Sequence, residues 1–356
     1  MKVLFVTEDL ANGGSERVIS VLANGFASKC DSAVVAIRRD IVKYSLDDKV
    51  IYYPFKDDNK GKVSRTLGRV RHLYKAINTF KPDVVVAFDV VPIVYSYIVC
   101  KLSKVKLVVS ERADPKKHEE KGRIGKLYFH AFKKANGAVF QTADAQSYYS
   151  VGIQRKSIII PNPINEEFVI ERFKGVRSKE IVTACRLTKQ KNLKLFIDIV
   201  LDINKKFPEY KGIIYGEGPE YESLYNYSLG LGGNEIIIFP GRVNNIRDKI
   251  FTSQFYLCTS DYEGISNSML EAMTLGLNVI CTDCPVGGAR MAIQSGKNGV
   301  LFPIGDKEAG VQAICDLITN ESKSCLMGEA ATDIRNRWSS NIIVDQWIKY
   351  IQTIAS

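Results

Sequence analysis

The sequence predicts an α/β protein built from two doubly wound, parallel-sheet domains facing each other across a cleft. Three observations carry this expectation. Apolar runs of four to six residues alternate with longer segments of helical period, the pattern of right-handed β-α-β crossovers in a mostly parallel sheet. The alternation stops at Pro161-Asn162-Pro163 and then begins again. The chain has 356 residues, the length of two domains at about 150 residues each.

The first series opens with a strand at 3–6. A helix follows from near Ser15, with Val18, Val21, Leu22 and Phe26 on one face. Strands are then expected at 33–37, 84–88, 106–109 and 137–140, which makes 1–160 the first domain. Two prolines so close together favour an extended connector, and charged, weakly periodic residues prolong it over 161–178. The second series has strands at 181–184, 212–215, 236–239, 255–258, 279–281 and 300–302, within a domain spanning 179–338. The last segment, 339–356, reads as a helix with Ile342, Val344, Trp347 and Ile351 apolar. It is expected to pack back on the first domain. In open parallel sheets, ligands bind at the carboxyl ends of strands, so motifs just after strands carry the most weight.

Composition narrows the possibilities. Hydrophobic residues make up 46% and charged residues 25%, which excludes disordered, collagen-like and small disulfide-stapled classes. The net charge of +10 is uneven: residues 1–160 hold 28 basic and 16 acidic side chains, and the remainder 21 and 23. An excess confined to one domain points to a local anionic partner. The opening MKVLFVTEDL meets acid at once and lacks a small-residue cleavage site, so no signal peptide is expected. The apolar stretch 84–100 is broken by Asp89 and Pro92 and is too short to span a bilayer. The eight cysteines show no framework and read as free thiols in a reducing cytoplasm. Cys281-x-x-Cys284 has no second pair, and His72, His118 and His130 are distant in sequence, so no metal site is expected.

Three segments carry chemistry. Asn12-Gly13-Gly14-Ser15-Glu16-Arg17 follows the first strand. Its glycines let a ligand approach the backbone, and the helix start beyond offers free N–H groups; a plain tight turn is the competing reading. Arg186-Leu-Thr-Lys-Gln-Lys191-Asn192 follows the first strand of the second domain. Arg can fork onto phosphate oxygens and Lys adds a mobile charge, against the alternative of a solvated basic loop. The third segment runs from Ser260 through Glu263-Gly264-Ile265-Ser266-Asn267 to Glu271. Eight residues on a helix rise roughly 12 Å, too far for two carboxylates acting on one glycosidic bond at about 5–9 Å. They suit two parts of one long ligand, since carboxylates accept from vicinal hydroxyls. For Glu271 the alternative is a capping box, Ser268-x-x-Glu271.

Together these segments resemble the retaining glycosyltransferases of family 4, of the bacterial polysaccharide-biosynthesis type, whose GT-B fold pairs two Rossmann-like domains. The similarity runs in order through the Gly-Gly-x-Glu-Arg loop, Pro161-Asn162-Pro163, the Arg186 to Asn192 loop, Gly216-Glu-Gly218-Pro219-Glu220, Gly241-Arg-Val243 and the Glu263 to Glu271 segment. The resemblance implies that Glu271 holds ribose hydroxyls of a nucleoside diphosphate and Glu263 contacts the transferred sugar. It implies that Gly264, Ile265, Ser266 and Asn267 face the sugar and distal phosphate, and that Arg186 and Lys191 bind the diphosphate. Glu263, Arg186 and Lys191 are thereby the expected catalytic residues. Gly241 and Val243 would lie against the base, and Gly13 and Gly14 would close over the donor. No cofactor and no metal are expected, because Arg, Lys and a helix dipole can stabilise a leaving phosphate. Where many members carry His, this chain reads Ser110-Glu111-Arg112, which makes Glu111 and Arg112 acceptor-side candidates. Arg290 stands where many carry an acid. His118 reads as solvent-exposed.

Two stretches of the first domain are strongly basic. In 60–75, Val63, Leu67, Val70 and Tyr74, continued by Ile77, are spaced to pack inward, leaving a cationic face. In 116–134 seven cations, Lys121 among them, accompany Tyr128, Phe129 and Phe132. A solvated face is one reading; docking on anionic lipid is the other, at about 1 kcal/mol per cation near the surface. The overall expectation is a glycosyltransferase using a nucleotide-sugar donor, UDP-sugar first and GDP-mannose second. The acceptor would be a lipid-diphosphate-linked oligosaccharide for capsule, exopolysaccharide or O-antigen. The enzyme would be cytoplasmic and peripheral on the inner face of the membrane. Nucleic acid is not expected, as no recognised motif appears. The competing readings are a sugar-nucleotide epimerase and a non-catalytic sugar-nucleotide-binding protein.

Overall fold

The computed structural model describes residues 1–11, 13–56, 61–119 and 122–356. Asn12, Lys60 and Lys121 of the motifs above lie outside the described residues. The chain divides into two compact units, 1–163 with 340–356, and 164–339. Each is built on one parallel sheet flanked by helices.

The first unit contains β1 (Lys2–Thr7), β2 (Asp31–Ala36), β3 (Ile51–Tyr53), β4 (Val84–Phe88), β5 (Lys106–Glu111), β6 (Gly137–Phe140) and β7 (Ser157–Ile159). Their order is β3-β2-β1-β4-β5-β6-β7. Val3–Val6 of β1 and all of β4 are buried, the continuous apolar run of a strand covered on both faces. The order reverses between β1 and β4, the switch point at which such sheets open a ligand crevice. Strands β3 and β7 escape a reading based on apolar runs because each is a three-residue strand at a sheet edge with partly exposed side chains.

The helix Lys62–Phe80 departs from expectation. Its buried residues are Leu73, Ala76, Ile77 and Phe80, whereas Val63, Leu67 and Tyr74 are exposed. Only its C-terminal half seats an apolar face, so the spacing that includes Val63 and Leu67 does not mark an inward stripe. In the helix Gly122–Lys134, Tyr128 and Phe132 are core residues, while Arg123, Lys126, Lys133 and Lys134 are exposed.

The helix Ser340–Ala355 belongs to the first unit. Trp347 is fully buried and stacks on Phe88 with ring centroids 5.6 Å apart. The Tyr350 hydroxyl donates to the Lys156 carbonyl at 2.6 Å and accepts from the Ala138 N–H at 2.9 Å. Two glycines make room for this helix. A Cβ on Gly25 would stand 2.5 Å from Val344 Cγ2, and one on Gly137 2.4 Å from the Tyr350 hydroxyl.

The second unit contains β8 (Ser178–Ala184), β9 (Lys211–Tyr215), β10 (Ile237–Gly241), β11 (Ser253–Cys258), β12 (Asn278–Thr282) and β13 (Val300–Phe302), ordered β10-β9-β8-β11-β12-β13. Its switch point falls between β8 and β11. The helix Leu193–Lys206 buries Phe196, Ile197, Val200 and Ile203 in a core shared with Ile181, Ile214 and Phe255. The expected connector at 161–178 is not a free linker. Asn162 is buried in the first unit, and Arg177 donates to the carbonyls of Phe251, Ser253, Leu275 and Gly276 in the second. Hydrogen bonding of this kind is invisible to a composition-based reading. Among the described residues, no helix is long and apolar enough to cross a membrane.

Candidate functional site

In the second unit, the loops that leave β8 and β11 are laced together. Thr259 Oγ1 donates to the Lys191 carbonyl at 2.9 Å. The Asp261 N–H donates to the Gln190 carbonyl at 2.9 Å, and Asn192 Nδ2 to Asp261 Oδ1 at 2.8 Å. Gln190 Nε2 donates to the Tyr262 carbonyl at 2.8 Å. These bonds bring Lys191 Nζ onto Glu263 Oε2 as an ion pair. Ser260 Oγ and Gln190 Nε2 each lie 3.4 Å from the same oxygen. Burial disfavours the Lys191 cation, but the Glu263 carboxylate outweighs it and holds the ammonium above its ordinary pKa. Arg186 stands exposed on the same loop, with no hydrogen bond or ion pair to the described residues. Sequence reasoning singled out Arg186, Lys191 and Glu263; it missed the residues that pin them, Thr259, Gln190, Asn192 and Asp261.

The backbone of 263–267 is held from the other side. The Glu263 N–H donates to the Pro285 carbonyl at 2.6 Å, and the Val286 N–H returns to the Glu263 carbonyl at 3.0 Å. A Cβ on Gly288 would lie 1.7 Å from the Gly264 carbonyl oxygen, so this close approach demands glycine. Ser266 is the cap of the helix Asn267–Thr274, accepting from the Met269 N–H at 3.4 Å. Ser268 is therefore inside the helix and bonds the Tyr256 hydroxyl at 2.7 Å. The capping-box alternative for Glu271 fails on this geometry, and Glu271 is buried, 4% exposed. Gly264, Ile265 and Ser266 are buried at the helix start.

Gly241 closes β10 at φ 75°, and its carbonyl accepts from the Gly216 N–H at 2.9 Å. Val243 follows, half-buried. Arg290, expected either to line the sugar pocket or to face solvent, pairs through Nε with Asp283 Oδ1 at 2.8 Å and is partly exposed.

In the first unit, Gly13 caps the helix Gly14–Ala27, and a Cβ there would lie 1.6 Å from the Glu16 carboxylate. Ser15 Oγ donates to Asp89 Oδ1 at 3.1 Å. Burial first, then the Asp89 charge, pushes the Glu16 carboxyl up to about 7. Ser110 Oγ donates to the Val139 carbonyl at 3.0 Å and is buried. Glu111 is also buried. Its Oε1 accepts from the Arg112 and Ala113 N–H groups at 3.0 Å and faces His118 Nε2 at 3.1 Å. Its Oε2 accepts from the hydroxyls of Tyr128 at 2.6 Å and Tyr149 at 2.9 Å. Burial alone would raise the carboxyl, but the His118, Tyr128 and Ala113 contacts outweigh it and hold it below its ordinary value. Both oxygens are thus occupied, and Glu111 presents none to an acceptor. His118 corrects the sequence reading: it is 7% exposed, because its lysine-rich flanks hide a partner seven positions away.

Arg112 lies over the Phe88 ring at 4.2 Å, near Trp347, and Nη1 donates to Asn162 Oδ1 at 3.0 Å. Its Nε and Nη2 are buried with no hydrogen-bond partner among the described residues. Burial brings its pKa down to about 9. That Asn162 of the Pro-Asn-Pro segment holds this side chain was not legible from local pattern. Among the described residues, no group of three or more His, Cys, Asp or Glu is placed to hold a metal ion.

Comparison with known proteins bears on family and fold. Residues 12–168 match the family described as Glycosyltransferase Family 4, and residues 165–334 match Glycosyl transferases group 1. The amylovoran biosynthesis glycosyltransferase AmsD of Erwinia amylovora is 24% identical over 97% of this chain and 98% of its own. The lipopolysaccharide 1,6-galactosyltransferase of Salmonella typhimurium is 24% identical over 91% of each chain. Some other relatives are longer. The chain spans 61% of a glycosyltransferase of Methanocaldococcus jannaschii and 21% of an exopolysaccharide phosphotransferase of Streptomyces coelicolor. Among solved structures, Anabaena HepE in complex with UDP-glucose superposes with a TM-score of 0.83 at 16% identity, covering 99% of this chain and 100% of that one. The lipopolysaccharide outer core galactosyltransferase WaaB gives 0.74 at 19% identity, covering 99% of both chains. At such identities the structures show the shared fold, and the two family matches adjoin to cover residues 12–334. On these grounds the chain belongs to the family 4 glycosyltransferases.

Proposed function

We propose that this protein moves a hexosyl or N-acetylhexosaminyl group from a UDP-sugar to a growing, lipid-linked oligosaccharide. Anomeric configuration is retained and no metal is needed. The observation that carries the donor assignment is the cluster after β8 and β11. An exposed Arg186, a Lys191 held by Glu263, and the start of the helix Asn267–Thr274 meet at the carboxyl ends of these strands. Cationic side chains and a helix N-terminus suit the charge that develops as the sugar C1–O bond breaks and the diphosphate leaves. The leaving phosphate then takes the proton of the attacking acceptor hydroxyl on the same face.

Within this reading, Glu271 accepts from the ribose hydroxyls and Glu263 from the transferred sugar. Gly264, Ile265, Ser266 and Asn267 face the sugar and distal phosphate, and Gly241 and Val243 lie against the base. Gly13 and Gly14 belong to the donor side of the first unit. Arg112, whose Nε and Nη2 nitrogens have no partner among the described residues, is the acceptor-side residue, and Glu111 positions its loop. The complexes of HepE with UDP and UDP-glucose support UDP as the nucleotide, with GDP-mannose as second choice. The named roles of AmsD and the Salmonella galactosyltransferase support a polysaccharide or lipopolysaccharide pathway.

The inner membrane face is the proposed location. Val63, Leu67 and Tyr74 stand exposed among Arg65, Arg71 and Lys75 on the helix Lys62–Phe80. Apolar side chains interleaved with cations suit an anionic lipid surface. Calorimetric titration with UDP, GDP and their sugar conjugates, without added metal, tests the donor. Selective binding of one conjugate is expected; binding of none by folded protein would sink the assignment.

A further inference from the structure

Four of the eight cysteines gather around the Lys191–Glu263 pair. Cys185, Cys258, Cys281 and Cys284 all lie within electrostatic reach of Glu263. They come from three different strand ends, so no spacing in the sequence announces them. Two of the four are placed differently from the rest. Cys258 ends β11 and Cys281 lies near the end of β12, and the two are Cα partners in the parallel register. Parallel neighbours sit about 4.8 Å apart, inside the Cα separation of about 4.4–6.8 Å that a disulfide spans. Register partners project to the same face of the sheet.

Their surroundings divide the labour. Cys258 is partly exposed, with Sγ 3.5 Å from Ser260 Oγ, whose hydroxyl in turn reaches toward Glu263. Cys281 is 1% exposed. The neighbouring Cys281 thiol first, and the Lys191 cation after it, bring the Cys258 thiol down to about 6 against the effect of burial, whereas burial drives Cys281 far up. A partly exposed thiol beside a buried one is the arrangement of an attacking and a resolving cysteine.

We propose that Cys258 and Cys281 are a peroxide-responsive thiol pair whose disulfide shuts the nucleotide-diphosphate site. The Cys258 thiolate attacks one oxygen of a hydroperoxide. The O–O bond breaks, hydroxide or alkoxide leaves, and Cys258 becomes a sulfenic acid. Cys281 sulfur then attacks the Cys258 sulfur, the S–O bond breaks, and the departing hydroxide takes the Cys281 proton as water. Two thiols are oxidised for each peroxide reduced. Bond formation draws Cys258 Sγ toward β12 and away from Ser260, displacing the turn whose Thr259 and Asp261 hold the Lys191 loop in place. The effect on donor binding rests on the donor-site reading above; the thiol chemistry does not.

The test uses the full chain, first reduced, then treated with hydrogen peroxide and quenched in acid. Peptide mapping by mass spectrometry should find Cys258 linked to Cys281. UDP titration should show at least a tenfold loss of affinity, recovered with dithiothreitol, while far-ultraviolet circular dichroism is unchanged. Cys281→Ser should give no linked peptide and leave a sulfenic acid at Cys258 that dimedone traps. Cys258→Ser should make UDP binding indifferent to peroxide. Oxidation confined to the exposed Cys325, or a linked pair with undiminished UDP affinity, would overturn the proposal. Reduced wild type that fails to bind UDP would instead strike the donor-site reading, and the peptide map would still decide whether the pair forms.

Discussion

Replacing Lys191 by Met separates the two partners of the central ion pair most cleanly. The thioether keeps the length of the stem and removes the charge. Lys191 is 16% exposed and Glu263 21%, so water screens the pair only in part. A charge-assisted hydrogen bond to a diphosphate in such a setting contributes about 1.5–3 kcal/mol. At 1.4 kcal/mol per factor of ten, UDP should bind roughly 10- to 150-fold more weakly. The variant should also unfold more easily. Glu263 would keep only Ser260 and Gln190, both at 3.4 Å, a loss of about 1–3 kcal/mol for a half-supported carboxylate. Glu263→Gln should act in the opposite sense on UDP. It frees Lys191 for the phosphate, so UDP should bind at least as tightly as in the wild type, while transfer and the added affinity of the sugar conjugate fall. Isothermal titration with UDP and with UDP-sugars on both variants reads these effects. Equal loss of UDP affinity in Lys191→Met and Glu263→Gln, or no loss in either, would refute the reasoning.

Three further outcomes are expected. Trp347→Ala removes a fully buried ring stacked on Phe88 and should cost about 3–5 kcal/mol in denaturant unfolding; a shift below 1 kcal/mol would mean the terminal helix adds little. The raised carboxyl of Glu16, up to about 7, means the folded chain holds a proton that the unfolded chain has released, so stability should fall as pH rises from about 4.5 towards 7. Glu16→Gln should flatten that part of the stability profile, measured by thermal unfolding across pH. Reversing Arg65, Arg71 and Lys75 to Glu should reduce binding to anionic vesicles in flotation and leave the Kd for UDP unchanged; undiminished flotation would remove the membrane-docking assignment.

The central strands could be read from the sequence because a stretch of strand covered on both faces must be apolar, as Val3–Val6 of β1 and all of β4 are. The same logic failed for β3 and β7, whose three residues at sheet edges need no such run. It failed in the other direction for Val63 and Leu67, whose helical spacing implies a buried face that the chain never covers. Candidate site residues could be picked out where backbone geometry or charge marks them: glycines at 13, 241 and 264, the cations at 186 and 191, and the acids at 263 and 271. Glu271 is separated from its capping-box alternative only by the position of the helix start, which Ser266 sets.

What the sequence determined alone is whatever depends on local pattern: two parallel-sheet units, the loops that follow β8 and β11, and a basic first half. What only the tertiary structure decided is pairing between distant positions. Glu111 meets His118, Tyr128 and Tyr149 in the core; Asn162 reaches Arg112; Cys258 meets Cys281. The physical reason is that periodicity records which face of an element is covered. It does not record what covers it, and hydrogen bonds, ion pairs and thiol contacts depend on that second fact.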